Sequence, residues 1–199
     1  MSLFIPVAPG RLPQLPAPGE LWADAVISVY DRGFHENLPE KATDAALMAQ
    51  YGRLVEEVGE LDQAYYEGGY GTESYKSAVM DELADIWIVA AQMCWLLKIR
   101  PSPLEGEAEV KDVSITAEIG NLWRAFRKQT EAEIVLNRLM GRVSFQAEYL
   151  FNRVGEGKQA FHDRVRQKIA ADEQRGQLHG GCPCWPSIRS SRQTGRGEA

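Results

Sequence analysis

Apolar positions along this chain recur at helical spacing, with no convincing two-residue alternation of the strand kind. Leu47, Leu54, Val58, Leu61 and Tyr65 mark one helix, capped by Thr43 or Asp44 and running to about Glu67. Ile115, Ile119, Leu122 and Phe126 mark another, and Leu136, Leu139, Val143, Ala147, Leu150 and Val154 a further one. Shorter patterns predict helices over about 21–32 and 158–175. From Ile86 to Leu97 every residue but Gln92 is apolar. A bilayer span needs about 20 apolar residues, so this run predicts a buried core helix, with Ser74 as its cap and Glu82 and Asp85 at its entrance. The pattern as a whole predicts an all-α bundle.

The helical pattern also divides the chain. Five prolines among residues 1–20 predict an extended arm. Residues 21–176 form the expected all-α domain. Residues 177–199, rich in Gly, Ser, Arg and Pro, are expected to be a disordered tail. Its His179, Cys182 and Cys184 offer three ligands, one short of a structural zinc set.

A hydrophobic content of 44% in 199 residues is ample for one core. The net charge of −6 is uneven: residues 1–100 hold 7 basic and 15 acidic side chains, and residues 101–199 hold 15 and 13. Such a balance excludes a general binder of polymeric nucleic acid, which would carry a basic stripe. It suits a site where acids hold cations and bases hold phosphates. Three cysteines, one of them (Cys94) in the apolar run, read as reduced thiols of a cytoplasmic protein. The start, MSLFIPVAPG, has no basic region and is broken by Pro6, so it does not read as a secretion signal.

Candidate chemistry lies in two acidic clusters, EEVGEL (56–61) and DELAD (81–85). Glu57 and Glu60 are three residues apart, so on a helix they project within about 60° of each other. Glu82 and Asp85 repeat that spacing on the next helix. A glycine-rich loop separates the two, which predicts antiparallel neighbours with facing acid pairs. Four converging carboxylates repel one another, and hard divalent cations bound through oxygen relieve the repulsion, Mg²⁺ above all. On this reading metal, rather than a lysine, is the partner of Asp85. Gly59 disfavours its helix by about 1 kcal/mol against Ala, which predicts a close helix contact or a bound group beside it.

LVEEVGELDQAY, a loop and DELADIWIVAAQM together resemble the MazG-type all-α nucleotide pyrophosphohydrolases. That superfamily includes dCTP pyrophosphatases, dimeric-type dUTPases and phosphoribosyl-ATP pyrophosphatase. The likeness covers about residues 45–98, with Glu57, Glu60, Glu82 and Asp85 on the E-x-x-E and E-x-x-D hallmark. It implies Mg²⁺-dependent cleavage of a nucleoside triphosphate to monophosphate and pyrophosphate, with Mn²⁺ as a substitute ion. Glu56 then becomes a candidate to orient or deprotonate the attacking water. Many members carry K-x-x-x-N-x-x-R-G soon after the apolar helix. Here the nearest match is far downstream, at Lys168, Asp172 and Arg175, with Asp in place of Asn. His35, in GFHENLP, loosely matches the Phe-His pair of the dCTP pyrophosphatases.

The intervening chain echoes the motif. In AEIGNLWRAF (117–126), Glu118, Gly120 and Leu122 fall where Glu57, Gly59 and Leu61 stand, and Asn121 replaces Glu60. In GRVSFQAEYLF (141–151), Gly141 and Ser144 take the places of Glu82 and Asp85. This pattern reads as a degenerate internal duplication, a pseudo-dimer with a catalytic repeat at about 38–98 and a degenerate one at about 108–156. A duplicated chain can still form a homodimer. A di-iron carboxylate bundle is disfavoured, since such sites use Glu-x-x-His pairs and the residues three before His35, His162 and His179 are Arg32, Gln159 and Gly176. The rival reading is a non-catalytic helical partner protein that keeps the fold. Base preference is not legible.

Overall fold

The computed structural model describes residues 12–32, 42–69, 71–102, 114–128, 130–150 and 156–175. Among them are six helices and no strand: α1 (Leu21–Asp31), α2 (Ala42–Glu67), α3 (Glu73–Leu96), α4 (Ile115–Lys128), α5 (Ala132–Leu150) and α6 (Glu156–Arg175). The fold is all-α. His35, Val154 and the 177–199 tail lie outside the described residues.

Helix α3 is central because its second half has no polar face. It packs against α1, α2, α5 and α6, and every residue from Ile86 to Leu96 is buried, Gln92 included. Each large apolar side chain so enclosed contributes roughly 1.5–3 kcal/mol relative to exposure. Thr72, rather than the expected Ser74, caps α3: its hydroxyl accepts from the Tyr75 N–H at 3.2 Å, and Ser74 already lies within the helix. At the other end Lys98 adopts φ 59°, and the Ile99 N–H returns to the Cys94 carbonyl at 2.8 Å, closing the helix with a left-handed cap. Thr43 and Asp44 likewise fall inside α2, which begins at Ala42.

A short turn joins α2 to α3, so the two run antiparallel. A second hairpin, α4–α5, lies against the first, with α4 on α2 and α5 on α3. Ile119, Leu122 and Val143 are buried in the same core as α3, and Leu150 packs at its edge. Helix α6 closes the bundle over α1, α3 and α5. It approaches α5 so closely that a Cβ at Gly157 would sit 2.6 Å from the Glu148 Cα. No helix among the described residues is long and apolar enough to cross a membrane.

The described residues just before α1 lie against the bundle. Leu12 and Leu15 pack on the core, and the Trp95 indole N–H donates to the Gln14 carbonyl at 3.0 Å. Among the described residues Gly59 meets no close helix: a Cβ there would find nothing within 4 Å.

Candidate metal centre

Three of the four expected acids converge. Glu57 of α2 and Glu82 and Asp85 of α3 each offer a carboxylate oxygen, all within 4.8 Å of one another. An octahedral Mg²⁺ holds oxygens at about 2.0–2.1 Å, so opposite ligands stand about 4.2 Å apart, close to this spacing. Glu60 is exposed and stands outside the trio, at its rim, where its charge still acts on Glu57 and Glu82. Glu56 is also exposed and is not among the converging acids.

The acids fit a cation chemically. Glu82 has a buried oxygen, Oε2, with no hydrogen-bond partner among the described residues. Burial, reinforced by the Asp85 charge, pushes both Glu57 and Glu82 up to about 7, against the partial relief that Arg53 gives Glu57 and Lys168 gives Glu82. Asp85 is also raised, chiefly by burial. A carboxylate cluster held this uncomfortably gains from a divalent ion, whose charge would reverse those shifts.

Cations of the chain crowd the same centre. Lys168 of α6 pairs with Asp85 and lies 3.9 Å from Asp81, so a lysine does stand against Asp85, contrary to the sequence expectation. The expectation weighed bases near in sequence, whereas the fold brings one from the last helix. Burial opposes the Lys168 charge, but Asp85, Asp81 and Glu82 outweigh it and its pKa is raised. Arg53 bonds Glu57 at 3.3 Å from the preceding turn, and Arg164 lies 3.4 Å from Asp81. Asp172 pairs with Arg32 at 2.9 Å, so its carboxylate is matched within the protein. The Arg175 side chain is outside the described set.

Arg53, Arg32 and Arg164 were not among the sequence candidates. The i,i+4 spacing of Arg53 and Glu57 was a usable signal; the other two depend on helix crossings. A cleft of about 370 Å³ opens between α3 and α6, with Glu73, Lys76, Ser77 and Arg164 in its lining and none of the three converging acids.

The second hairpin also holds a buried acid, and protein groups match it. Glu118, at the place of Glu57, is 2% exposed, and its carboxylate accepts from Arg138 at 2.9 Å and Asn121 at 3.1 Å. Ser144 turns its hydroxyl back to the Met140 carbonyl. The buried Glu118 is matched by an arginine of its own hairpin.

No family model, no curated protein and no solved structure matches the chain.

Proposed function

We propose that the chain is a MazG-like nucleotide pyrophosphohydrolase that uses Mg²⁺, or Mn²⁺ in its place, to convert nucleoside triphosphates to monophosphates and pyrophosphate. The observation that carries this reading is the convergence of Glu57, Glu82 and Asp85, with the unpaired Oε2 of Glu82 among them. The likeness of EEVGEL and DELAD to the family's hallmark supplies the reaction.

Glu57, Glu82 and Asp85 would hold the ion, with Glu60 reaching in from the rim. When bound, the ion offsets phosphate charge and activates water. Arg53 and Lys168 stand beside the acids and are suited to meeting phosphate oxygens once an ion takes over the carboxylates. In the cleft between α3 and α6 the two cations are matched by acids, Lys76 with Glu73 at 2.8 Å and Arg164 with Asp81 at 3.4 Å. Internal duplication accounts for the paired hairpins: the first keeps its acids, and the second keeps its packing and neutralises Glu118. Such an enzyme would clear surplus or non-standard nucleotides from the cytoplasmic pool.

The Lys168–Asp85 pair also favours a second reading, in which the lysine stands permanently where an ion would and the chain is a helical partner protein. Incubation of the full chain with Mg²⁺ and a panel of nucleoside triphosphates decides between them. Pyrophosphate and monophosphate are the expected products. Orthophosphate as the only inorganic product, or no turnover with any triphosphate, would overturn the pyrophosphohydrolase reading.

A further inference from the structure

Acids and bases meet in register along the seam between α3 and α6. Asp81 and Asp85 stand four residues apart on α3, and Arg164 and Lys168 four apart on α6, so each pair lies on one side of its helix. Arg164 Nε lies 3.4 Å from Asp81 Oδ1, and Lys168 pairs with Asp85. A diagonal contact joins these two rungs, because Lys168 Nζ is also 3.9 Å from the same Asp81 oxygen. The ammonium therefore stands between two carboxylates, closer to Asp85.

The two acids differ in what else they face. Asp85 converges with Glu57 and Glu82, and Asp81 is not one of that trio. Asp81 faces bases instead. Arg164 approaches it with Nε and donates from Nη2 to the Ser77 hydroxyl at 2.5 Å, one turn earlier on α3. Arg164 is thus tied to two successive turns of α3, and it holds Asp81 independently of Lys168.

An ion on the trio takes Asp85 away from Lys168. The lysine side chain is only 24% exposed, and an ammonium so enclosed is costly once its counter-charge is gone. Lysine carries three rotatable donors on a flexible stem, so it can change partners without a change in the fold. Closing its gap to Asp81 to a bonded distance of about 2.8 Å takes a shift of about 1 Å.

We infer that Asp81 is a positioning residue of the metal centre, which receives the Lys168 ammonium when Asp85 turns to a divalent ion. The inference rests on the proposed reading of the trio as a metal site. With Asp81 in place the lysine exchanges one carboxylate for another and stays beside the trio, where the proposed reaction uses a cation. Without Asp81, metal binding leaves the lysine stranded.

The test is a double-mutant cycle, read by calorimetric Mg²⁺ titration of the full chain, Asp81→Asn, Lys168→Gln and the double variant. Turnover of nucleoside triphosphates is followed alongside. Asp81→Asn should weaken Mg²⁺ binding about tenfold when Lys168 is present and no more than about threefold beside Lys168→Gln, a difference of the size that coupled neighbours show. Asp81→Glu keeps the charge that Lys168 takes up and should stay within about threefold of the unmodified Kd. A part-exposed pair such as Asp81 and Arg164 contributes little to stability, so Asp81→Asn is expected to fold, and Asp81→Ser replaces it if it does not.

Equal weakening in both backgrounds would overturn the inference, since Asp81 would then act on the ion directly. So would unchanged binding in Asp81→Asn, or failure of Asp81→Glu to restore it. With turnover intact in the unmodified chain, each of these results leaves the hydrolase reading standing. The expected coupling without hydrolysis of any triphosphate would uphold the role of Asp81 and overturn the hydrolase reading instead. Absence of Mg²⁺ binding in all four chains would overturn both.

Discussion

Lys168 and Asp85 lie 83 residues apart in the chain and face each other across the seam between α3 and α6, where the lysine holds the acid that a metal would need. The pairing makes Lys168 and a divalent ion competitors for one carboxylate. Lys168→Gln should therefore bind Mg²⁺ more tightly than the unmodified chain, by roughly the several-fold that loss of one nearby positive charge allows. Its kcat/KM for nucleoside triphosphates should fall, because a phosphate-binding cation is lost. Calorimetric Mg²⁺ titration checks the first effect, and an unchanged Kd would remove the competition.

The acid trio makes the metal-free protein sensitive to pH. Glu57 and Glu82 titrate at about 7 in the fold, above the ordinary carboxylate range that an unfolded chain would show. Between those limits the folded state binds more protons than the unfolded one, so stability falls as pH rises. The Tm without metal should decline from about pH 5 to about pH 8 and level off above. Saturating Mg²⁺ should flatten the decline, since the ion favours the ionised acids. Melting curves across that range, with and without Mg²⁺, provide the check.

Glu82→Gln should raise the metal-free Tm at pH 8, because one of three crowded charges disappears. The same substitution should abolish Mg²⁺-dependent turnover and the stabilisation by Mg²⁺, with helical circular dichroism unchanged. Glu57→Gln and Asp85→Asn should also abolish turnover. Near wild-type hydrolysis in any two of the three variants would end the metal assignment.

In the second hairpin the expected costs are structural. Leu122 is fully buried, and Leu122→Ala should cost about 2–5 kcal/mol as a core cavity. Arg138→Met leaves Glu118 buried with Asn121 as its remaining partner, a change that costs up to about 3–5 kcal/mol. Asn121→Ala should be far milder and should leave turnover unchanged, as Arg138 still neutralises the acid. Denaturant unfolding of the three variants, with turnover of those that fold, tests the division of roles. Loss of activity in Asn121→Ala with the fold intact would draw the second hairpin into the chemistry.

Local pattern alone determined the helices, the burial of α3 and the meeting of Glu57 with Glu82 and Asp85. Those features depend on rotation per residue and on the absence of a polar face, and both are written in short stretches of sequence. Periodicity likewise put Ile119, Leu122 and Val143 on a buried side. Only the tertiary structure decided which charges meet. Helix crossings set Lys168 against Asp85 and Arg138 against Glu118, and they left Glu60 at the rim although it shares the spacing of its neighbours. They also enclosed Gln50 and Gln92, the latter reading in sequence as a lone polar residue in an apolar run. An i,i+3 spacing fixes a direction around one helix axis. How far a side chain reaches across the seam, and what it finds there, depends on the offset of two axes and on elements distant in the chain, as Lys168 is from Asp85.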